Sequence, residues 1–424
     1  MIRAKPRLCI AFPGNNCRKN TTFAVEVSNL VRHLEKTFVV TLVFRTIREP
    51  LNLDCRQLAV LESVADGVEE GDFFTPNDFA AVGRCMESLD RFAKSRSTEF
   101  DYVIEKTWRL DGALTHCFAK YGTPGAPILE GEFHLSKING KSFPRSRWQQ
   151  MLWPIFRSRL IANKKKWLRV ADTIITETRQ MRSWLVQNDY IKADAQWLPL
   201  PAAYDRDIFY PRDREACRAE LGLDQSAFIL AYVGSLNCLI HDPYPFLEAA
   251  ANQGDRNLLI CMIGDGSRRQ KLEEFCGRLG IAVVFTGRVG QTEASKFIGA
   301  ANVCMAPYNV EFYPGRQFTS GSLKVVEYLA CGRPVVSIPC GRMSDLLEGG
   351  KYGFLVENNV QAYRDLFRTL EPASLYDREQ DLLRDVRNGR LAESGYALDF
   401  SVIAERLTEM ITLRMLRDQR KVAD

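Results

Sequence analysis

Short apolar runs rich in β-branched residues alternate along this chain with longer stretches whose apolar positions recur every three or four residues. In the first half, RLCIAF reads as a strand closing in the turn PGNN, followed by a helix over 22–36 and the strand FVVTLVF. After a polar section come a helix over 77–94, the strand DYVIE, a helix over 110–120 and the strand PILEGEF. A second, more regular series begins near residue 228. FILAYVGS, NLLICMIGDGS, AVVFTG, NVCMAPY and RPVVSIP read as strands, with helices over 243–253, 268–279, 292–301 and 323–330 between them. One apolar run is ambiguous, but the repeated alternation predicts parallel βαβ units.

The pattern therefore predicts an α/β chain of two Rossmann-like, doubly wound domains, 1–200 and 201–398. They are joined through WLPLPAAYDRDIFYPRD, which is rich in Pro and Asp. Residues 399–424 close the chain. There Ile403, Leu407, Met410, Ile411 and Met415 mark one face of a helix, expected to pack back on the N-terminal domain. Ligands of open α/β sheets bind outside the carboxyl ends of the strands, so function is expected in the loops after strands, facing a central cleft between the domains.

Composition removes several classes. The 424 residues carry a net charge of +5, too weak a balance to argue for nucleic acid. The twelve cysteines are scattered without a CxxC, and His33, His116, His134 and His241 form no closely spaced pair. That excludes zinc spacing and a disulfide framework, and favours reduced, buried thiols in a cytoplasmic protein. The N-terminal apolar run is too short for a signal peptide, and no apolar run is long enough to span a membrane.

Gly264 and Gly266 follow a strand and open a helix, with Arg268 and Arg269 beside them. Glycines there admit close backbone approach, and a helix N-terminus favours anions; a purely geometric turn is the alternative. Neither PGNN nor GDGS is a GxGxxG fingerprint and no GxxxxGK[ST] occurs, which argues against a dehydrogenase or a P-loop enzyme. Asp205-Arg206-Asp207 is a DxD, a spacing able to hold a divalent metal, but at a linker turn it reads rather as a solvated turn. In FTSGSLKVVEYLACGRPVV, Thr319, Ser320, Gly321 and Ser322 precede a helical run. Such residues cap a helix while leaving early N–H groups for a diphosphate. Lys324 and Glu327, three apart, lie on one helix face, suiting a phosphate partner and a carboxylate for ribose hydroxyls; a surface ion pair is the alternative.

These residues carry a resemblance. Gly234-Ser235, MIGDGSRRQKLEEFCGRLGIAVVFTGRV, AANVCMAPY and SLKVVEYLACGRPVVS resemble the C-terminal domain of the family 4 retaining glycosyltransferases (group 1 glycosyl transferases), which have the GT-B architecture. LPLPAAYDRDIFYP resembles the family's interdomain segment in Pro201, Asp205 and Phe209, with Ala202 and Ala203 in place of Asn and Gly. The resemblance is strong over 201–357 and diffuse before it. It implies that Glu327, the second glutamate of the family's Glu-x7-Glu motif, binds the donor ribose; Thr319 stands at the first glutamate. It further implies that Ser320, Gly321, Ser322 and Leu323 offer backbone N–H groups to the diphosphate, and that Arg288 flanks the nucleobase. Gly14, Gly234, Gly264 and Gly266 would allow close approach to the donor. The family's basic pair after Gly234 is absent from LNCLIHDPYP, so Lys324, Arg268 or Arg316 would neutralise the diphosphate. In the N-terminal half, Glu105, Glu132 and His134 end strands toward the expected cleft, and the resemblance offers Glu132, His134 and Lys324 as catalytic residues.

The implied reaction moves a sugar, with retention, from a nucleotide-sugar donor to a glycan or lipid-linked acceptor in surface polysaccharide or lipopolysaccharide synthesis. It needs no cofactor and no metal. A nucleotide-sugar epimerase and a non-catalytic sugar-nucleotide-binding subunit are the rival readings. Residues 141–169 hold nine basic and no acidic residues, interleaved with Trp148, Trp153, Phe156 and Trp167. This mixture suits peripheral contact with the inner face of a membrane; a helix capping the acceptor domain, its aromatics in the core, is the alternative.

Overall fold

The first apolar run becomes β1 (Arg7–Cys17), fully buried from Leu8 onward. It does not end at Phe12. The strand continues through the expected turn, with a register irregularity against β2 between Phe12 and Asn16. Asn16 explains the extension: its Oδ1 accepts from Arg45 Nε at 2.8 Å and from the Thr46 hydroxyl, tying the bulged segment to the next strand.

The computed structural model describes residues 5–17, 22–60, 79–106, 110–129, 147–171, 173–237, 240–251, 257–312, 322–370, 372–393 and 398–423. The chain divides into two units, Met1–Leu200 with Phe400–Asp424, and Pro201–Asp399.

In unit 1, β1 is followed by α1 (Thr22–Leu34), β2 (Val39–Ile47), β3 (Arg56–Ala59), α2 (Phe79–Arg96), β4 (Tyr102–Lys106), α3 (Ala113–Ala119), β5 (Gly125–Leu129), α4 (Arg147–Leu168), β6 (Thr173–Thr176), α5 (Arg179–Gln187) and β7 (Gln196–Pro199). Its sheet is parallel, in the order β3-β2-β1-β4-β5-β6-β7. The order reverses between β1 and β4, as doubly wound sheets do at their binding crevice. Within α4, Phe156, Leu160 and Trp167 enter the core, so these two aromatics have the packing role. Lys164, on the same face, pairs with Asp111 at 2.7 Å, both side chains 2% exposed.

Unit 2 runs through β8 (Ala203–Tyr204), α6 (Arg214–Leu221), β9 (Phe228–Val233), α7 (Tyr244–Ala250), β10 (Leu258–Ile263), α8 (Arg269–Leu279), β11 (Val283–Gly287), α9 (Gln291–Ala300), β12 (Val303–Ala306), α10 (Leu323–Ala330), β13 (Val335–Ser337), α11 (Arg342–Leu346), β14 (Gly353–Leu355), α12 (Val360–Thr369), α13 (Pro372–Arg387), α14 (Arg390–Glu393) and β15 (Leu398–Asp399). The sheet is again parallel, in the order β11-β10-β9-β12-β13-β14, and switches direction between β9 and β12. A small parallel pair, β8 with β15, which the sequence pattern does not announce, joins the two ends of the unit. The last helix, α15 (Phe400–Ala423), buries Ile403, Leu407 and Ile411 and packs on α1.

Candidate functional site

At the carboxyl ends of β9 and β12 the two strands part. Their pairing matches Val303 with Leu230 and Cys304 with Ala231. Two residues further along, the Val233 N–H meets the Tyr328 hydroxyl instead, at 2.7 Å. That hydroxyl comes from α10 and also lies 3.5 Å from the Met305 carbonyl, so it fills the gap where the ladder stops. Burial pushes the Tyr328 phenol well above its ordinary value, keeping it a neutral donor and acceptor.

Tyr328 thereby fixes α10 at the switch point, and Lys324 stands four residues earlier on the same face. Lys324 is 9% exposed, so its stem and ammonium are buried rather than on the surface. Its ammonium lies 4.3 Å from the Tyr232 ring centre and 5.7 Å from that of Tyr308, and donates to the Tyr232 hydroxyl at 3.3 Å. Tyr232 in turn donates to the Ser235 carbonyl at 3.1 Å. A Cβ on Gly234 would lie 2.9 Å from the Lys324 ammonium. Glycine lets the end of β9 and this cation meet.

Ser322 is the N-cap of α10: its hydroxyl accepts from the Val325 N–H at 3.3 Å and bonds the Tyr308 hydroxyl. Ser322 thus caps the helix, satisfying the Val325 amide. Leu323 and Glu327 are both half-buried, Glu327 one turn into the helix.

The glycine turns converge on the same end of the sheet. A Cβ on Gly264 would fall 2.0 Å from the Gly234 carbonyl oxygen, and one on Gly266 2.4 Å from Leu236 backbone. Gly264 and Gly287 form an antiparallel bridge, and the exposed Arg288 follows directly. The Arg268 amide donates to the Leu236 carbonyl at 3.3 Å, and its guanidinium lies 5.1 Å from the Tyr244 ring centre. The structure thus gathers Gly234, Gly264, Gly266, Arg268, Ser322 and Lys324 around one strand end.

Arg316, Thr319, Ser320 and Gly321, and in unit 1 Glu132 and His134, lie outside the described residues. Gly14 sits in the buried, bulged part of β1. Glu105 is also buried, and its carboxylate accepts from the Thr115 amide at 2.8 Å and hydroxyl at 3.0 Å. It caps the start of α3 rather than presenting a reactive group.

Sequence reasoning missed Tyr232, Tyr308, Tyr328 and His241. His241 pairs with Tyr308 across the switch point as an antiparallel bridge, their rings 5.0 Å apart. The Asp242 amide donates to Pro307 and the Asn309 amide to Ile240, strapping the loop after β9 to the segment after β12. The available signal was tyrosine near the carboxyl end of the strand runs FILAYVGS and NVCMAPY, where a polar tip on an apolar body is useful.

Chemically, a cation two residues into a helix stands at the positive end of its dipole. The two aromatic faces offset part of that repulsion. An anion bound in front of Lys324 would meet the ammonium and the helix start together.

Residues 227–370, most of unit 2, match the model of the family of glycosyl transferases group 1. A D-inositol 3-phosphate glycosyltransferase of Streptomyces avermitilis is 28% identical over 351 residues, 79% of this chain and 70% of that protein. Other relatives of that description are matched over 34–60% of their own length. Among solved structures, WaaG, a glycosyltransferase involved in lipopolysaccharide biosynthesis, superposes with TM-score 0.68 at 13% identity, covering 96% of this chain and 99% of WaaG. Anabaena HepE in complex with UDP-glucose superposes with TM-score 0.66, also at 13% identity, covering 96% and 99%. At such identities the structural neighbours establish the fold, two Rossmann-like units of the GT-B class. The family match and the relatives support a glycosyltransferase enzyme.

Proposed function

We propose, from the premise that residues 227–370 form a group 1 glycosyl transferase domain, that this protein transfers a sugar from a nucleoside-diphosphate donor, with retention, to a glycan or lipid-linked acceptor. One observation carries the reading. The Lys324 ammonium is buried at the β9/β12 switch point, against the glycine that ends β9 and two residues into α10. HepE, which shares the fold, was solved with UDP and with UDP-glucose, in keeping with such a donor.

On this reading the diphosphate rests before Lys324 and the first turn of α10, with Arg268 and Arg316 as further cations and Gly264 and Gly266 admitting close approach. Glu327 accepts from ribose hydroxyls, and Arg288 flanks the base. The bond from the anomeric carbon to the diphosphate oxygen breaks as that carbon gains oxocarbenium character. The acceptor hydroxyl attacks from the same face, and its proton passes to the departing diphosphate. Lys324 stabilises the charge developing on that leaving group. Glu132 and His134 are the candidates on the sugar side. The names of the relatives, a D-inositol 3-phosphate glycosyltransferase and the lipopolysaccharide glycosyltransferase WaaG, are in keeping with a glycan or lipid-linked acceptor and with a surface-glycan pathway.

The reading is tested by offering UDP-, GDP- and ADP-sugars with acceptor extract and following diphosphate release and the product's anomeric configuration by NMR. Acceptor-dependent release with the donor's configuration preserved is expected. An inverted product would contradict retention. Interconversion of the donor sugar without release would point to an epimerase.

A further inference from the structure

The solvent face of α4 is built the wrong way round for a soluble helix. Its core face is complete without it: Phe156, Leu160 and Trp167 are buried in unit 1, and Lys164 is anchored to Asp111. Yet Met151 is 69%, Leu152 53% and Ile155 54% exposed, three large apolar side chains within five residues of one another. Phe79, opening α2, is 41% exposed and joins them, its ring 5.2 Å from that of Phe156. Scattered exposed apolar residues need no explanation, whereas a grouped set does.

The same face continues in charge. At helical spacing from Met151 and Ile155 follow Arg159, Lys166 and Arg169, all exposed, and α4 contains no acidic residue. The Arg159 guanidinium lies 5.2 Å from the Phe79 ring centre, at the border between the apolar and basic parts. An apolar end to insert and a one-sign cationic flank to anchor are together the complement of an anionic lipid surface. A protein partner recognised by the apolar patch alone would give no reason for the basic flank.

We infer that α4 and the start of α2 form a docking face for anionic phospholipid headgroups, with Met151, Leu152, Ile155 and Phe79 entering the interface and Arg159, Lys166 and Arg169 on the phosphates. The face lies on unit 1 and stands apart from the donor-site reading. It would hold the enzyme against a membrane carrying a lipid-linked acceptor.

The experiment is flotation of the full chain with vesicles of phosphatidylcholine alone or mixed with phosphatidylglycerol. Two variants accompany the wild type: Met151→Asp/Ile155→Asp, and Arg159→Gln/Lys166→Gln/Arg169→Gln. All five positions are exposed, so the apolar variant should melt as the wild type does and the basic variant nearly so, since it loses the Arg169 hydrogen bond to the Asp189 carbonyl at 3.2 Å; nucleoside-diphosphate binding should be unchanged. The wild type is expected to float only with phosphatidylglycerol, less so as salt rises. Binding should weaken roughly fivefold for each basic residue neutralised. The apolar variant should lose insertion while retaining a residual salt-sensitive attraction. Absence of wild-type flotation, or flotation that neither variant alters, overturns the inference. So does a wild-type dimer that ignores vesicles and dissociates in the apolar variant, which would make the patch a contact between copies of this chain.

Discussion

The Lys324 ammonium stands 4.3 Å from the centre of the Tyr232 ring and donates to that residue's hydroxyl at 3.3 Å. The ring face and the phenol oxygen therefore hold the cation in two separable ways. Tyr232→Phe keeps the first and removes the second; Tyr232→Leu removes both. Since a cation–π contact contributes about 0.5–2 kcal/mol, Tyr232→Leu should weaken diphosphate binding by roughly two- to thirtyfold beyond Tyr232→Phe. Equal affinities in calorimetry would show that the ring does not position Lys324.

Two glycines at the same strand end should fail differently. A Cβ on Gly264 meets the backbone carbonyl of Gly234 at 2.0 Å, which cannot swing aside. A Cβ on Gly234 meets the far end of Lys324 at 2.9 Å, which can move. Gly264→Ala should therefore lower stability by about 1–3 kcal/mol in chemical denaturation. Gly234→Ala should cost less stability but displace the ammonium, so its larger effect should fall on nucleotide affinity.

The Asp111–Lys164 pair fastens α4 to the segment before α3 and is almost wholly withdrawn from water. Removing one partner strands the other's charge, so Asp111→Ala or Lys164→Met should destabilise the chain by about 3–5 kcal/mol. The double variant Asp111→Ala/Lys164→Met should recover a large part of that loss. Additive losses in a double-mutant cycle would mean that the two charges do not depend on each other.

Asp385 on α13 accepts from Lys351 at 2.6 Å and from the Tyr352 hydroxyl at 2.8 Å. Burial alone would push its carboxyl up, but these hydrogen bonds outweigh burial and hold it below the ordinary aspartate value. The Tyr352 phenol is pushed up to about 12, chiefly by burial, and stays protonated as a donor. A depressed carboxyl stabilises the fold above its unfolded value near 3.9, and that contribution fades as pH falls toward the folded value. Asp385→Asn should therefore lower stability at neutral pH by about 1–3 kcal/mol, with the gap to wild type narrowing below about pH 3.9. A gap that stays constant from neutral to acid in urea titrations would contradict the assignment.

Much of this fold is legible along the chain because helix and strand periods differ and repeat. The sequence-predicted helix over 323–330 coincides with α10, and the strand within FILAYVGS with β9. What is not legible depends on partners distant in sequence. The turn expected at PGNN is overridden because Asn16 finds Arg45 and Thr46 on the neighbouring strand. Glu105 reads as a carboxylate ending a strand toward the expected cleft until Thr115 is seen to occupy it. Lys324 and Glu327 are visible as a pair by spacing. That Lys324 turns inward onto Tyr232 and Tyr308, from strand ends 92 residues before and a loop shortly upstream, needs the sheet.

Calorimetric titration of UDP, GDP, ADP and CMP into wild type, Lys324→Ala and Glu327→Ala tests the central claim most directly. One nucleoside diphosphate should bind the wild type. Lys324→Ala should weaken it by about 10- to 100-fold, as expected for loss of a hydrogen bond to a charged group, and Glu327→Ala should weaken it through the ribose. If no nucleotide binds the wild type, or if Lys324→Ala binds as tightly, the switch point of unit 2 is not the donor site.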